Sequence, residues 1–229
     1  MVCQDNESDK TERADGILEY INEEIHGKKV LDFGCGEGHV VLQANKLGAN
    51  AWGYDESKTG MHLWDDGDSR LTTSFDKIKS HAPFDLVILY DVLDHTVNPV
   101  ETLKQVHSIC HGKTRVWVRC HSWMSRHAGH YYQKLNKAWI HLVFTDEELK
   151  LLHLEPKVCQ KYFFPINTHK SWFANSAFVA LTSDISKNDV EPFFSKPEIM
   201  RRLPIDKFEH KLPEWQMSQS FNDYLLQIK

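Results

Sequence analysis

No apolar run in this 229-residue chain approaches the roughly 20 residues that a membrane-spanning helix needs. No CxxC pair occurs either, and the five cysteines, Cys3, Cys35, Cys110, Cys120 and Cys159, are odd in number and irregular in spacing. A disulfide framework or a cysteine-built zinc site is therefore not expected, and reduced thiols in a cytosol fit better. Positive charge is not in excess. The formal net charge is −5, which argues against a polycation built for nucleic acid. Repeats and low-complexity tracts are missing. The opening MVCQDNESDKTER is polar and acidic, unlike a secretory signal or a transit peptide, so a cytoplasmic protein is expected.

What is present suits one α/β domain with an appendage: hydrophobic residues make up 41% and charged residues 26%. Residues 12–26 place Ile17, Leu18, Ile21 and Ile25 at helical spacing, after a loose stretch over 1–11. Short buried strands are predicted at Lys29–Phe33, Asn50–Tyr54, Arg70–Ser74, Asp85–Leu89 and Arg115–Arg119. Helices are predicted at 39–47, 75–81 and 100–110. Residues 56–70 are too polar and glycine-bearing for a long helix. Thr145, with Glu148 three residues on, reads as the cap of a further helix. Strands at Val158–Ile166 and Phe173–Thr182 could pair antiparallel, and 215–228 reads as a last helix. Strand and helix alternate up to about residue 120, the pattern of a parallel sheet with crossover helices. The pattern stops after Thr182, where four of the eight prolines gather between 184 and 213. Residues 1–183 thus read as the domain, with 120–144 as a cap, and 184–229 as a tail or arm.

The strand at Lys29–Phe33 runs straight into Gly34-Cys35-Gly36-Glu37-Gly38 and then a helix. Glycines there permit a sharp turn and close approach of a ligand. Backbone N–H groups and the helix N-terminus can serve a polar ligand. The next strand ends at Asp55, 17 residues after Gly38, where a carboxylate can accept both ribose hydroxyls of a nucleoside. A dinucleotide site needs G-x-G-x-x-G, whereas this loop reads G-x-G-x-G with His39 at the third glycine's place. Asp32 at the loop entrance repels a pyrophosphate but can receive the ammonium of an amino acid. A ligand with an amino-acid end and a ribose end matches S-adenosylmethionine better than a dinucleotide.

The stretch VLDFGCGEG resembles the first motif of the class I S-adenosylmethionine-dependent methyltransferases. Tyr54-Asp55-Glu56 resembles the acidic end of their second strand. Phe84-Asp85-Leu86-Val87 and Asp91-Val92-Leu93-Asp94-His95 resemble the fourth strand and its turn in the branch that methylates small molecules. The resemblance runs from about residue 12 to 182. It implies a doubly wound, Rossmann-like α/β fold whose mostly parallel, seven-stranded sheet has an antiparallel edge strand. It also implies S-adenosylmethionine as cofactor. Asp32, Gly34, Gly36 and Gly38 would line the methionine end, Asp55 would bind the ribose, and Glu56 would lie near the adenine. Asp91 and Val92 would lie under the sulfonium. The short connection between Asp55 and Phe84 departs from the family pattern, so Thr73, Ser74 and Phe75 stand as candidates for the adenine wall.

In open α/β sheets the ligand sits at the carboxyl ends of the strands, so the segment after the fifth strand is the natural acceptor cap. From Thr102 to Thr145 there is no Asp or Glu, but there are seven Lys or Arg and six His. An anionic small-molecule acceptor such as a phosphate, carboxylate or nucleotide sugar is favoured, and the alternative is exposed helix faces coated with charge. Arg126, His127, His130 and Tyr131 are candidate acceptor contacts. His121 first and His95 second are candidate general bases. Cys120, His121, His127 and His130 are metal-ligand types, but without HExxH or CxxC no metal is expected. An RNA or protein methyltransferase, and a non-catalytic module that keeps the fold, are the competing readings. The proline-rich tail with Phe193, Phe194, Trp215 and Tyr224 could contact a partner or a second copy.

Overall fold

The computed structural model describes residues 7–58, 70–122, 125, 126, 128, 131, 134, 135, 137–155, 166–187, 190, 196–202 and 218–229. The first half follows the alternation that the apolar spacing predicts. Helix α1 (Glu7–Ile21) leads to β1 (Lys29–Phe33), α2 (His39–Lys46), β2 (Asn50–Tyr54), β3 (Leu71–Thr72), α3 (Phe75–His81), β4 (Phe84–Tyr90) and α4 (Pro99–His107). Strand β5 (Cys110–His121) follows, then α5 (Ile140–Val143), α6 (Asp146–Leu151), α7 (Ile166–Ala174), β6 (Phe178–Lys187), α8 (Pro197–Arg202) and β7 (Gln219–Ile228).

The seven strands form one sheet in the order β3-β2-β1-β4-β5-β7-β6. Pairs β1–β2, β1–β4, β2–β3 and β4–β5 are parallel. Arg119 meets Asp223 and His121 meets Phe221, so residue numbers on β5 and β7 run in opposite senses, as antiparallel neighbours require. The sheet is therefore mixed, mostly parallel with an antiparallel edge. From β1 the chain builds outward to β2 and β3, then returns to β4 on the other side of β1. That reversal opens a crevice at the carboxyl end of β1, where ligands bind in such sheets. Strand β4, FDLVILY, is buried along nearly its whole length, as expected for a central strand covered on both faces. Ile17 and Leu18 of α1, Val41 and Ala44 of α2 and the inner residues of β1, β2 and β4 close one core cluster.

Contacts divide the chain into two units. One takes Gln4–Arg119, Trp172–Ser183 and Asp223–Lys229, and the other takes Cys120–Ser171 and Asp184–Asn222. Within the second, Tyr131, Ile140, Leu149 and Leu154 form a small core of their own.

Four expectations change. Helix α1 begins at Glu7 rather than 12, with Glu7 and Asp9 in its first turn, where acids favour a helix N-terminus. It stops at Ile21 because Asn22 turns to φ +48°. Strand β5 is longer than Arg115–Arg119, since an irregularity lies between Phe84 and Leu86 in its pairing. The Thr114 hydroxyl repairs that break by donating to Phe84 O at 2.6 Å and accepting from His111 N at 2.8 Å. Ile166–Ala174 is helical, and β6 starts at Phe178; the expected strand at 158–165 lies outside the described residues. Residues 219–228 form a strand, not a helix. Its Tyr224 and Leu226 are buried two apart, the strand period. Thus both ends of the 184–229 stretch contribute to the sheet. The capping box at Thr145 and Glu148 is present.

Candidate active site

The loop between β1 and α2 is tied to the end of β2 by three backbone donors. Gly34 N and Cys35 N both bond to Tyr54 O, at 2.7 and 3.0 Å. Gly36 N donates to Asp55 Oδ2 at 2.9 Å. Asp55 Oδ1 accepts from Ser57 N at 3.1 Å. Gly34, at φ +84°, lies so close to Val92 that any Cβ there would overlap that side chain. Its glycine is required by both the left-handed backbone and the contact.

Two cavities share Gly34. The first, about 270 Å³, is lined by Lys10, Arg13, Ala14 and Ile17 of α1, Asp32, the loop from Gly34 to Val40, and Tyr90. The second, about 420 Å³, is lined by Phe33, Tyr54–Ser57, Asp91, Val92, His95–Asn98 and the first turns of α4. Charge is unevenly divided between them. Lysine and arginine line only the first. The second has Asp55, Glu56, Asp91 and Glu101 with no lysine or arginine. Asp32 is buried, and burial, with the charge of Asp55 added, raises its carboxyl to about 7. A buried carboxylate in that state gains most from a cationic ligand group.

The site expectations fall into three groups. Asp32, Gly34, Gly36 and Gly38 line the first cavity, and Asp55, Glu56, Asp91, Val92 and His95 line the second. Asp91 holds φ +55°, uncommon for a residue with a side chain. Ser74 lines neither cavity; its hydroxyl caps α3 by accepting from Lys77 N. Phe75 packs edge-on against Phe33 and Tyr54, behind the second cavity. The remaining candidates belong to the other unit. There the His121 ring lies 4.4 Å from that of Phe221. Tyr131 is buried and donates to Glu155 O at 2.9 Å. Arg126 is exposed, and His127 and His130 lie outside the described residues.

Lys10, Arg13 and Tyr90 escape the sequence reading. Lys10, Arg13, Ala14 and Ile17 share one helical face, which becomes legible only once α1 is known to start at Glu7. Glu7, Glu37 and His39 bring three metal-ligand atoms within 4.8 Å of one another. The Lys10 ammonium already sits there, 2.5 Å from Glu37 and 3.8 Å from Glu7, and supplies the cation these carboxylates need. The basic stretch is also less bare than its composition implies. Lys104 pairs with Glu101, His111 with Asp85, Arg115 with Glu23 and Arg119 with Asp223, all acids outside 102–145.

Fold and site together define a Rossmann-like domain with two adjoining cavities at the carboxyl end of its first strand. The methyltransferase-domain family matches residues 7–182, and the chain belongs to it, among the S-adenosylmethionine-dependent class I methyltransferases. A ubiquinone biosynthesis O-methyltransferase of Azoarcus sp. (strain BH72) is 36% identical over 88 residues, 34% of this chain and 38% of that protein. The namesake of Vibrio parahaemolyticus serotype O3:K6 is 31% identical over 103 residues, covering 41% and 40%. The chain thus spans about two fifths of the length of the curated relatives it matches. A solved S-adenosylmethionine-dependent methyltransferase from Archaeoglobus fulgidus superposes with a TM-score of 0.52 at 16% identity, over 96% of this chain and 94% of that one. Haemonchus contortus phosphoethanolamine N-methyltransferase 2 gives 0.54 at 15%, over 95% and 52%; its structure holds phosphomonomethylethanolamine and S-adenosylhomocysteine. Both share the fold. Among the described residues no helix is long and apolar enough to cross a membrane.

Proposed function

We propose that this protein transfers a methyl group from S-adenosylmethionine to an oxygen or nitrogen atom of a small molecule. The observation that carries the reading is the division of charge between the two cavities that meet at Gly34. S-adenosylmethionine has a carboxylate and an ammonium at one end and a neutral nucleoside at the other. Lys10 and Arg13 would serve the carboxylate, and Asp32 the ammonium. Asp55 would accept the ribose hydroxyls, with Glu56 toward the adenine. Bound there, the cofactor supplies an electrophilic methyl group on a sulfonium. His95, half-exposed in the second cavity beside Asp91 and Val92, would then take a proton from an acceptor hydroxyl. His121 remains an alternative base on the other unit.

The names of the curated relatives support an oxygen acceptor. Four of the basic groups pair with acids, none of them among the candidate acceptor contacts, so an acceptor that carries an anionic group stays within the small-molecule reading. Titration calorimetry with S-adenosylhomocysteine tests the donor site. Label transfer from methyl-labelled donor into metabolite fractions and RNA tests the acceptor class. Binding with transfer into a small-molecule fraction is expected. Transfer into RNA alone would overturn the acceptor reading, and no binding would overturn both.

A further inference from the structure

Arg119 on β5 is enclosed among aromatic rings. Its guanidinium lies 4.8 Å from the ring centroid of Tyr20, 5.2 Å from that of Tyr90 and 5.4 Å from that of Trp117. Asp223 on β7 grips it with both oxygens, at 2.6 and 2.8 Å. The Tyr20 hydroxyl donates to the same carboxylate at 3.0 Å. Arg119 in turn donates to the Tyr90 hydroxyl at 3.3 Å. Tyr90 forms a wall of the first cavity and stacks on Trp117. On that same Tyr90 ring rests Arg13, 5.3 Å from the centroid and 4.0 Å from Asp91. A relay of contacts therefore runs from Asp223, six residues from the end of the sequence, through Arg119 and Tyr90 to Arg13.

We propose that Arg119 is a positioning residue for the donor cavity, fixing the Tyr90 ring on which Arg13 rests, and that Asp223 holds Arg119 in place. This rests on the donor reading above. A guanidinium suits the task because its planar fork serves a carboxylate bidentately, keeps a donor for the phenol and still stacks on rings. An ammonium cannot do all three. A carboxylate buried to 5% exposure without that partner would be an uncompensated charge, so the pair acts as one unit. Strand β7 thereby acquires a part in donor binding, although it lines neither cavity.

The test is a double-mutant cycle of Tyr90→Phe and Asp223→Asn, read as S-adenosylhomocysteine affinity by calorimetry beside the thermal midpoint. Tyr90→Phe keeps the ring and removes only the hydroxyl. It is expected to weaken binding about five- to tenfold, the scale of one net hydrogen bond. Asp223→Asn should weaken it comparably, and the double variant should be no weaker than the worse single one. Arg119→Lys should not restore affinity. Unchanged affinity in both single variants, even with a lowered midpoint, would reduce the cluster to a structural role and overturn the proposal. Strictly additive losses would overturn the relay. Should Asp223→Asn fail to fold, Tyr90→Phe decides the matter alone. Wild-type protein that binds no S-adenosylhomocysteine would instead overturn the donor reading, and this inference with it.

Discussion

Asp55 holds the crest of the glycine loop: its Oδ2 accepts from Gly36 N at 2.9 Å. One carboxylate thus sets the shape of the loop and keeps free lone pairs toward the second cavity, since each oxygen can accept more than one bond. Asp55→Ala removes the loop's brace and the proposed ribose acceptor together. Donor affinity should fall about a hundredfold, as for two charge-assisted hydrogen bonds. Asp55→Asn, which can still accept from Gly36, should lose less. Calorimetry with S-adenosylhomocysteine distinguishes them, and unchanged affinity in the alanine variant would undo the ribose assignment.

If Asp32 receives the donor's ammonium, as proposed, donor binding should depend on pH. Its carboxyl is raised to about 7 by burial and by Asp55, while an ammonium ligand needs it ionised. Affinity should therefore climb as pH rises toward about 7, by up to about tenfold per pH unit below that point. In Asp32→Asn the slope should vanish and affinity stay low. The stability effect has the opposite sense. The folded carboxyl holds its proton more tightly than the unfolded one, so the free protein is favoured below about 4 and loses that contribution as pH rises to about 7. Thermal midpoints of the free Asp32→Asn variant should lack this decline. A wild-type affinity that is flat from pH 5.5 to 7 would contradict the assignment.

Gly34 and Val92 fill each other's space. Gly34→Ala places a Cβ into Val92 at a positive φ, costing about 2–4 kcal/mol from strain and overpacking together. Adding Val92→Ala should recover the overpacking part and leave the backbone part. Urea unfolding of the three variants gives both terms, and a double variant no more stable than Gly34→Ala would show that the contact does not matter.

His95 should matter to turnover more than to donor binding. If it takes the acceptor's proton, His95→Ala lowers kcat about 10²- to 10⁴-fold with S-adenosylhomocysteine affinity nearly unchanged. Full activity in that variant would move the proton transfer to another group, with His121→Ala the next to measure.

The elements legible in the sequence are those whose signal is local. DLVIL reads as a buried strand because four apolar residues follow Asp85 without interruption. GCGEG reads as a turn because its glycines are spaced for one. Thr145 and Glu148 read as a cap because the two bonds close within four residues. Two failures share a cause. Residues 215–228 have no strong local preference for a strand, and β7 exists because Asp223 finds Arg119 and because a slot lies between β5 and β6. Lys10 reads as part of a solvated leader and Arg13 as an unassigned position on the first helix until Glu37 and Tyr90 are brought to them.

By itself, then, the sequence determines the parallel half of the sheet, the glycine loop and the placing of Asp32 and Asp55 at its two strand ends, because backbone conformation and short-range chemistry suffice there. Only the tertiary structure decides the division of charge between two cavities, the placing of α1 over the first, and the reach of the last strand to Tyr90. Those depend on contacts between residues up to 203 positions apart, as Tyr20 and Asp223 are, and no local pattern encodes a partner at that distance.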